Sequence, residues 1–376
     1  NEKSPIRIFV AAVELVGYFV FSFIQIQGFG IVLSSITGIS YNICCVAFMI
    51  ILIFTCMGGF ESVARTDTGN AILILIGVIA GAVTVMHLTG GIGNIVENFV
   101  TTTAPAIEGQ PALEAGVLGS SWGVFGVSAI ISTFLSNAFG SIVAPHWVAR
   151  FMAPKNAKTA ALQMFCVLLL LIPVFGCLII IGMGGKMILP TLPVGVTTDY
   201  MFPQLIMNYL NPVLGALALT AICAAAVSTA NSMLLHCSTS LVYDIKRVLQ
   251  DKKASAENDD KTTKELRMWV LLLGVLAVLG AIAQFSLLAQ GFTYVYGAFG
   301  SMFFAPILFG LFVKRMNQPA AWTSMIVGLI AYLYCTICGA PLGLPTFIVS
   351  AGLSVISAII VMNVTKKPPV ETYEAF

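Results

Sequence analysis

Charge is scarce in this chain. Its 376 residues include 18 Lys and Arg and 16 Asp and Glu, 9% in all, where soluble domains carry roughly 25%. A chain that is 58% hydrophobic cannot cover its surface in water, which excludes a soluble globular domain. Histidine is nearly missing too: only His87, His146 and His236 occur, far apart in the chain. No cluster has metal-ligand spacing and no nucleophile–base pair is visible, so the chain is not expected to be an enzyme or to carry a cofactor. Alternating apolar runs of about ten residues are absent as well; the runs here are about twice that length, which excludes a β-barrel. No basic tract suggests nucleic acid as a partner, and the net charge is only +2. No secretory leader is visible, and the chain opens on NEKSP without an initiating methionine, so it is expected to be part of a longer protein.

What is present is apolar sequence in membrane-length pieces. The fold class expected is all-α and polytopic, with ten transmembrane helices. The runs fall at about 6–35, 40–57, 69–89, 122–144, 158–184, 211–237, 268–288, 292–313, 319–338 and 344–363. Residues 1–376 are read as one transmembrane domain. Gly58-Gly59, Gly90-Gly91, Pro190, Pro193, Asn317-Gln318-Pro319 and Gly343 punctuate the runs, the double glycine at 58–59 being expected to break a helix. The longest polar stretch, Asp244 to Arg267, is read as a connecting loop. The nine cysteines lie in apolar runs and are assigned to packing, Cys335 and Cys338 included despite their redox-like spacing.

The basic residues orient the chain. With the N-terminus in the cytoplasm, every Lys and Arg except Lys186 falls on the cytoplasmic side, so both termini are expected there and the location is the plasma membrane. Two long segments then lie outside, 90–121 and 186–210. Both are expected either to form short interfacial helices over a vestibule or to serve as plain connectors.

Polar groups inside apolar runs mark packing seams or permeation paths. AICAAAVSTANSMLLHCSTSLVYDIKR, residues 221–247, concentrates Ser228, Thr229, Asn231 and Ser232 on neighbouring turns. Two readings stand: a close-packed helix interface, or a cation site built from neutral hydroxyls and freed carbonyls. In GGFESVARTDTGN, Glu61 and Arg65 are spaced to pair. Asp67 suits either a helix N-terminus or an ion ligand. Asn137 lies deep in its run, and Pro145 frees a carbonyl near that run's end. His146 and Trp147 suit the membrane interface, and Glu14, near the inner surface, is expected either to pair or to snorkel. Gln25 and Gln27 are candidates for a cavity wall, with Phe21 one turn before Gln25.

Four segments, GGFESVARTDTGN, PHWVARFMA, AAAVSTANSMLLHCSTSLVYDI and APILFGLFVKRMNQPAAWTSMIVG, resemble in order and spacing the signature segments of the sodium:solute symporter family. That family has a leucine-transporter-like fold and includes carriers for proline, pantothenate, monocarboxylates, sialic acid and sugars. The resemblance implies an inverted repeat of five plus five helices with extra terminal helices. The ten runs here look like the last ten of thirteen. It implies a sodium site at Ala225 (carbonyl), Ser228 and Thr229. A second sodium site, present in some members, maps onto Asp67, Ser228, Asn231 and Ser232, with Asn231 where a hydroxyl is common. It places Asn137 and Ser141, with Gln25 and Phe21, at the substrate. Asn137 matches an asparagine that contacts sugar in a bacterial galactose carrier, and proline carriers have aromatic residues at the positions of Asn137 and Ser141. The segment LPTLPVGVTTDYMFPQLIMNYLNP looks like pantothenate carriers. The function implied is sodium-coupled symport of a small organic solute (a carboxylate, a vitamin or a sugar-like molecule), with sodium as coupling ion, the lipid bilayer as surroundings and a monomer as the working unit when complete. The alternatives are a symporter-like sensor module and a transport-inactive fragment of such a carrier.

Overall fold

Lipid offers the backbone no hydrogen bonds, so a chain of apolar runs must satisfy its own amides, and helices do this locally. The computed structural model describes residues 5–103, 114–120, 126–190, 198–250, 260–283 and 288–368, with the side chains of 54–66, 260, 289 and 342 outside that description. In chain order the helices are α1 (Pro5–Thr37), α2 (Tyr41–Thr89), α3 (Ile92–Thr101), α4 (Gly126–Val143), α5 (Pro145–Met152), α6 (Ala157–Ile188) and α7 (Met201–Tyr209). Then come α8 (Pro212–Thr239), α9 (Arg247–Leu249), α10 (Asp260–Ile282), α11 (Leu288–Phe312), α12 (Gln318–Cys338) and α13 (Thr346–Val364). Among the described residues, nine helices are long and apolar enough to cross a membrane. The expected span at 40–57 is represented by the shorter apolar helix Tyr41–Ile53.

Helical conformation is assigned on both sides of Gly58-Gly59, from Tyr41 to Thr89. The two ends of that stretch pack in opposite senses. Tyr41 donates to the Ala281 carbonyl at 2.7 Å while Leu52 lies against Gly274, so the first part runs antiparallel to α10. Asp67 meets Ser228 and Gly77 meets Ala221, so the last part runs antiparallel to α8. α10 is itself antiparallel to α8, starting beside its end through Lys246–Glu265 and Arg247–Thr262. The chain therefore reverses direction between Leu52 and Asp67, the stretch that holds Gly58-Gly59, as two separate spans require. One expectation is corrected, that for the polar stretch 244–267. Helical structure continues past α8 as a π-helical segment, Ser240–Lys246, then α9, and resumes with α10 at Asp260.

The chain divides into two compact units, Asn1–Ser121 with Ala157–Gly291, and Trp122–Asn156 with Phe292–Phe376. In the first, α8 packs against α1 and α2, and Gly77 makes the approach possible: a Cβ there would lie 2.6 Å from that of Ala221. α3 and α7 are short helices in segments 90–121 and 186–210, where short helices or plain connectors were expected. They close over a cluster that includes Val85, Ile95, Ile181, Leu205, Ile206 and Ala218. In the second unit, α12 and α13 pack along their length. Ser354 donates to the Ser324 carbonyl at 2.9 Å, and the Ser301 and Ser350 hydroxyls lie 2.7 Å apart, so these polar atoms are satisfied without water.

Candidate functional site

Helix α8 begins with a side-chain cap: the Asn211 carboxamide accepts from the Val213 N–H at 3.0 Å, and Pro212 occupies the first turn, where its missing N–H costs nothing. Three alanines, Ala224 to Ala226, precede the hydroxyls. Thr229 donates to the Ala225 carbonyl at 2.9 Å, which sets that carbonyl and that hydroxyl on one strip of the helix. Ser228 donates outward, to Asp67 Oδ1 at 2.5 Å. One turn of α8 and the last part of α2 thus bring together a carbonyl, two hydroxyls and a carboxylate. Asn231 and Ser232, a turn further on, are buried, each 6% exposed. This set is all hard oxygen with a single formal charge, a chemistry that suits a monovalent cation. Glu61 and Arg65, expected to pair, lie outside the described side chains.

The C-terminal end of the same helix, with the π-helical segment that follows it, is tied to its neighbours. Arg7 of α1 forms an ion pair with Asp244 at 2.6 Å, and Lys246 pairs with Glu265 of α10. Of the two options for Glu14, pairing is the one met: its carboxylate faces the Ser240 hydroxyl, with Asp244 nearby. Tyr18 packs against His236 with ring centroids 5.6 Å apart. Sequence reasoning missed the π-helical segment and the Arg7–Asp244 pair. A separation of 237 residues leaves no local signal for such a pair.

The proposed substrate residues fall on two helices. Phe21 and Gln25 lie one turn apart on α1, in the first unit, with Phe21 buried and Gln25 half-buried; Gln27 is buried as well. Asn137 and Ser141 lie on α4, in the second unit. The Asn137 amide donates to the Thr133 carbonyl at 2.8 Å and to the Thr293 hydroxyl at 3.3 Å, and Ser141 donates to the Asn137 carbonyl at 2.6 Å. After Val143 the backbone leaves the helix at Ala144 (ψ 125°) and restarts at Pro145, and the Ser141 carbonyl accepts from the Ala144 N–H at 3.3 Å in place of an amide one turn on. His146, expected at an interface, is instead buried, 3% exposed, with its ring 6.3 Å from that of Tyr296.

In the segment between α6 and α8, Asp199 accepts from the Leu288 N–H at 3.4 Å, and the Tyr200 hydroxyl bonds to Ser34. Burial pushes the Asp199 carboxyl above its ordinary range, partly offset by the Leu288 N–H.

A model of the sodium:solute symporter family matches residues 1–328. The chain belongs to that family. It is similar to the sodium/pantothenate symporter of Haemophilus influenzae, 26% identical over 323 residues, covering 86% of this chain and 64% of that relative. It is similar to the osmoregulated proline transporter of Bacillus subtilis, 27% identical over 331 residues, covering 87% of this chain and 64% of the relative. The chain therefore spans 64% of the length of these relatives. Among solved structures it shares the fold of a Na+-coupled sialic acid symporter, with a TM-score of 0.73 at 21% identity over 95% of this chain and 74% of the other. Fold and relatives together make it an all-helical, multi-pass membrane protein of a family of carriers rather than enzymes.

Proposed function

We propose that the protein is the transporter domain of a sodium-coupled symporter that brings a small organic solute across the plasma membrane by alternating access. The oxygen cluster on α8 carries this reading: Ser228 bonded to Asp67 and Thr229 to the Ala225 carbonyl, in a chain of the symporter family. Ala225, Ser228 and Thr229 hold the coupling sodium. Asp67, Ser228, Asn231 and Ser232 form a second candidate set, supported by the Ser228–Asp67 contact. Hydroxyls and carbonyls bind sodium without the tight grip of several carboxylates, so release to the cytoplasm stays feasible. One sodium crossing a −100 mV potential supplies about 2.3 kcal/mol, roughly fiftyfold accumulation before any sodium gradient is counted.

Asn137 and Ser141 in the second unit are assigned to contact the solute, and so, separately, are Gln25 and Phe21 in the first. An amide and a hydroxyl in place of aromatic rings suit a solute with hydroxyl or carboxylate oxygens. Two sodium/pantothenate symporters, 26% and 25% identical, support a pantothenate-like carboxylate as the first solute to try. Uptake of labelled solutes by proteoliposomes containing the complete protein, with and without sodium, tests the proposal. Sodium-stimulated uptake of one solute class is expected. Uptake of that class at equal rates in sodium and potassium would refute the coupling.

A further inference from the structure

Helix α10 has two unlike faces. Val270, Leu273, Ala277, Val278 and Ala281 are buried, and the helix packs on α1, α2 and α8. The opposite face lines an open groove of about 640 Å³, with Lys264 and Arg267 at one end and Met268, Leu272, Val275 and Leu276 along its length. Those four apolar side chains are 46–54% exposed. The residues recur at three- and four-residue intervals, so they form one stripe.

Length and charge both point to one kind of occupant. From Lys264 to Leu276 the helix rises about 18 Å, close to the roughly 15 Å of hydrocarbon in one leaflet. The basic end sits where Lys246 and Arg247 also gather, and Glu265, the carboxylate beside them, is engaged by Lys246. An acyl chain fits the stripe, and a phosphate fits the two cations: arginine grips phosphate oxygens with a planar fork and lysine adds a point charge. A choline headgroup would bring its own cation to this basic end; an anionic headgroup would not.

We propose that this face of α10 holds one anionic glycerophospholipid, phosphate at Lys264 and Arg267 and acyl chain along Met268 to Leu276. The inference needs only the membrane setting and does not depend on sodium coupling.

Native mass spectrometry of the purified full-length protein, titrated with dioleoyl phosphatidylglycerol or dioleoyl phosphatidylcholine, tests it. One phosphatidylglycerol should be retained in preference to phosphatidylcholine. Lys264→Gln with Arg267→Gln should bring the two lipids to parity. Lys264→Gln alone, on an exposed side chain that the fold tolerates, should weaken retention about fivefold. Lys155→Gln with Lys158→Gln, at another membrane boundary, should leave the preference intact. Equal retention of both lipids by the unaltered protein overturns the proposal, as does a preference unmoved in the Lys264 and Arg267 variants. Displacement by millimolar glycerol 3-phosphate would instead mark a soluble-anion site and overturn it too.

Discussion

Ser228 and Thr229 are adjacent in sequence and point to different partners. Ser228 reaches across to Asp67, whereas Thr229 bonds back within its own helix to Ala225. Neither hydroxyl holds the fold together, since the backbone bonds of α8 do that, so removing either should leave the helix in place. Ser228→Ala and Thr229→Ala are each expected to raise the sodium concentration for half-maximal uptake by about tenfold, the loss of roughly one ligand bond. Unchanged sodium dependence in both would sink the assignment. Asn137→Ala is expected to raise the solute concentration for half-saturation while sodium binding stays near normal; equal loss of both would make Asn137 a structural residue. Asp199 carries a pH signature. Its carboxyl is held above the ordinary 3.8 by burial, so the folded protein binds that proton more readily than the unfolded chain. Stability then falls as pH rises from about 3.8 through the folded value and levels off above it. Melting curves across that window should show the fall, and Asp199→Asn should lack it.

At the level of elements, α8 depends on close approach. Gly77 lets α2 lie against Ala221 and the Ala218 backbone, the latter 3.1 Å from where a Cβ would sit. A larger side chain has no room to move into. Gly77→Leu is expected to destabilise the protein by about 1–3 kcal/mol and to disturb the Asp67–Ser228 contact on the same pair of helices. A thermal melt indistinguishable from the unaltered protein would contradict this. The alanine-rich stretch was legible as a helix interface, and the Gly77–Ala221 approach bears that reading out; the cation site on the neighbouring hydroxyls is the reading proposed above. The π-helical segment at Ser240–Lys246 was not legible. Nothing in SLVYDIK separates it from an ordinary helix end, and its tie through Asp244 to Arg7 comes from the other end of the chain.

For the whole molecule, the distribution of charge argues a topology. Lys186 alone among the basic residues would lie outside if both termini are cytoplasmic. Epitope tags at each terminus are expected to be shielded in intact cells and reached only after permeabilisation; labelling of either tag from outside would reverse the assignment. Arg7–Asp244 and Lys246–Glu265 add to the argument, because they gather charge at one end of α1, α8 and α10. The long spans were readable from sequence because each helix satisfies its own backbone in lipid, with no help from the rest of the chain. The short helices α3 and α7 were anticipated as one of two options. What selects helix over plain connector is the core cluster they cover, built from α2, α6 and α8 residues far away in sequence.

Composition and the order of apolar runs determined by themselves that this is a helical membrane protein, and four motifs determined its family. Those properties are local or additive, so they survive in a linear string. Only the tertiary structure decided that Ser228 meets Asp67 rather than a neighbouring helix turn, and that His146 is buried against Tyr296. Each of these depends on a balance between an intrinsic preference of about 1 kcal/mol and packing against residues that the chain brings close only once it has folded.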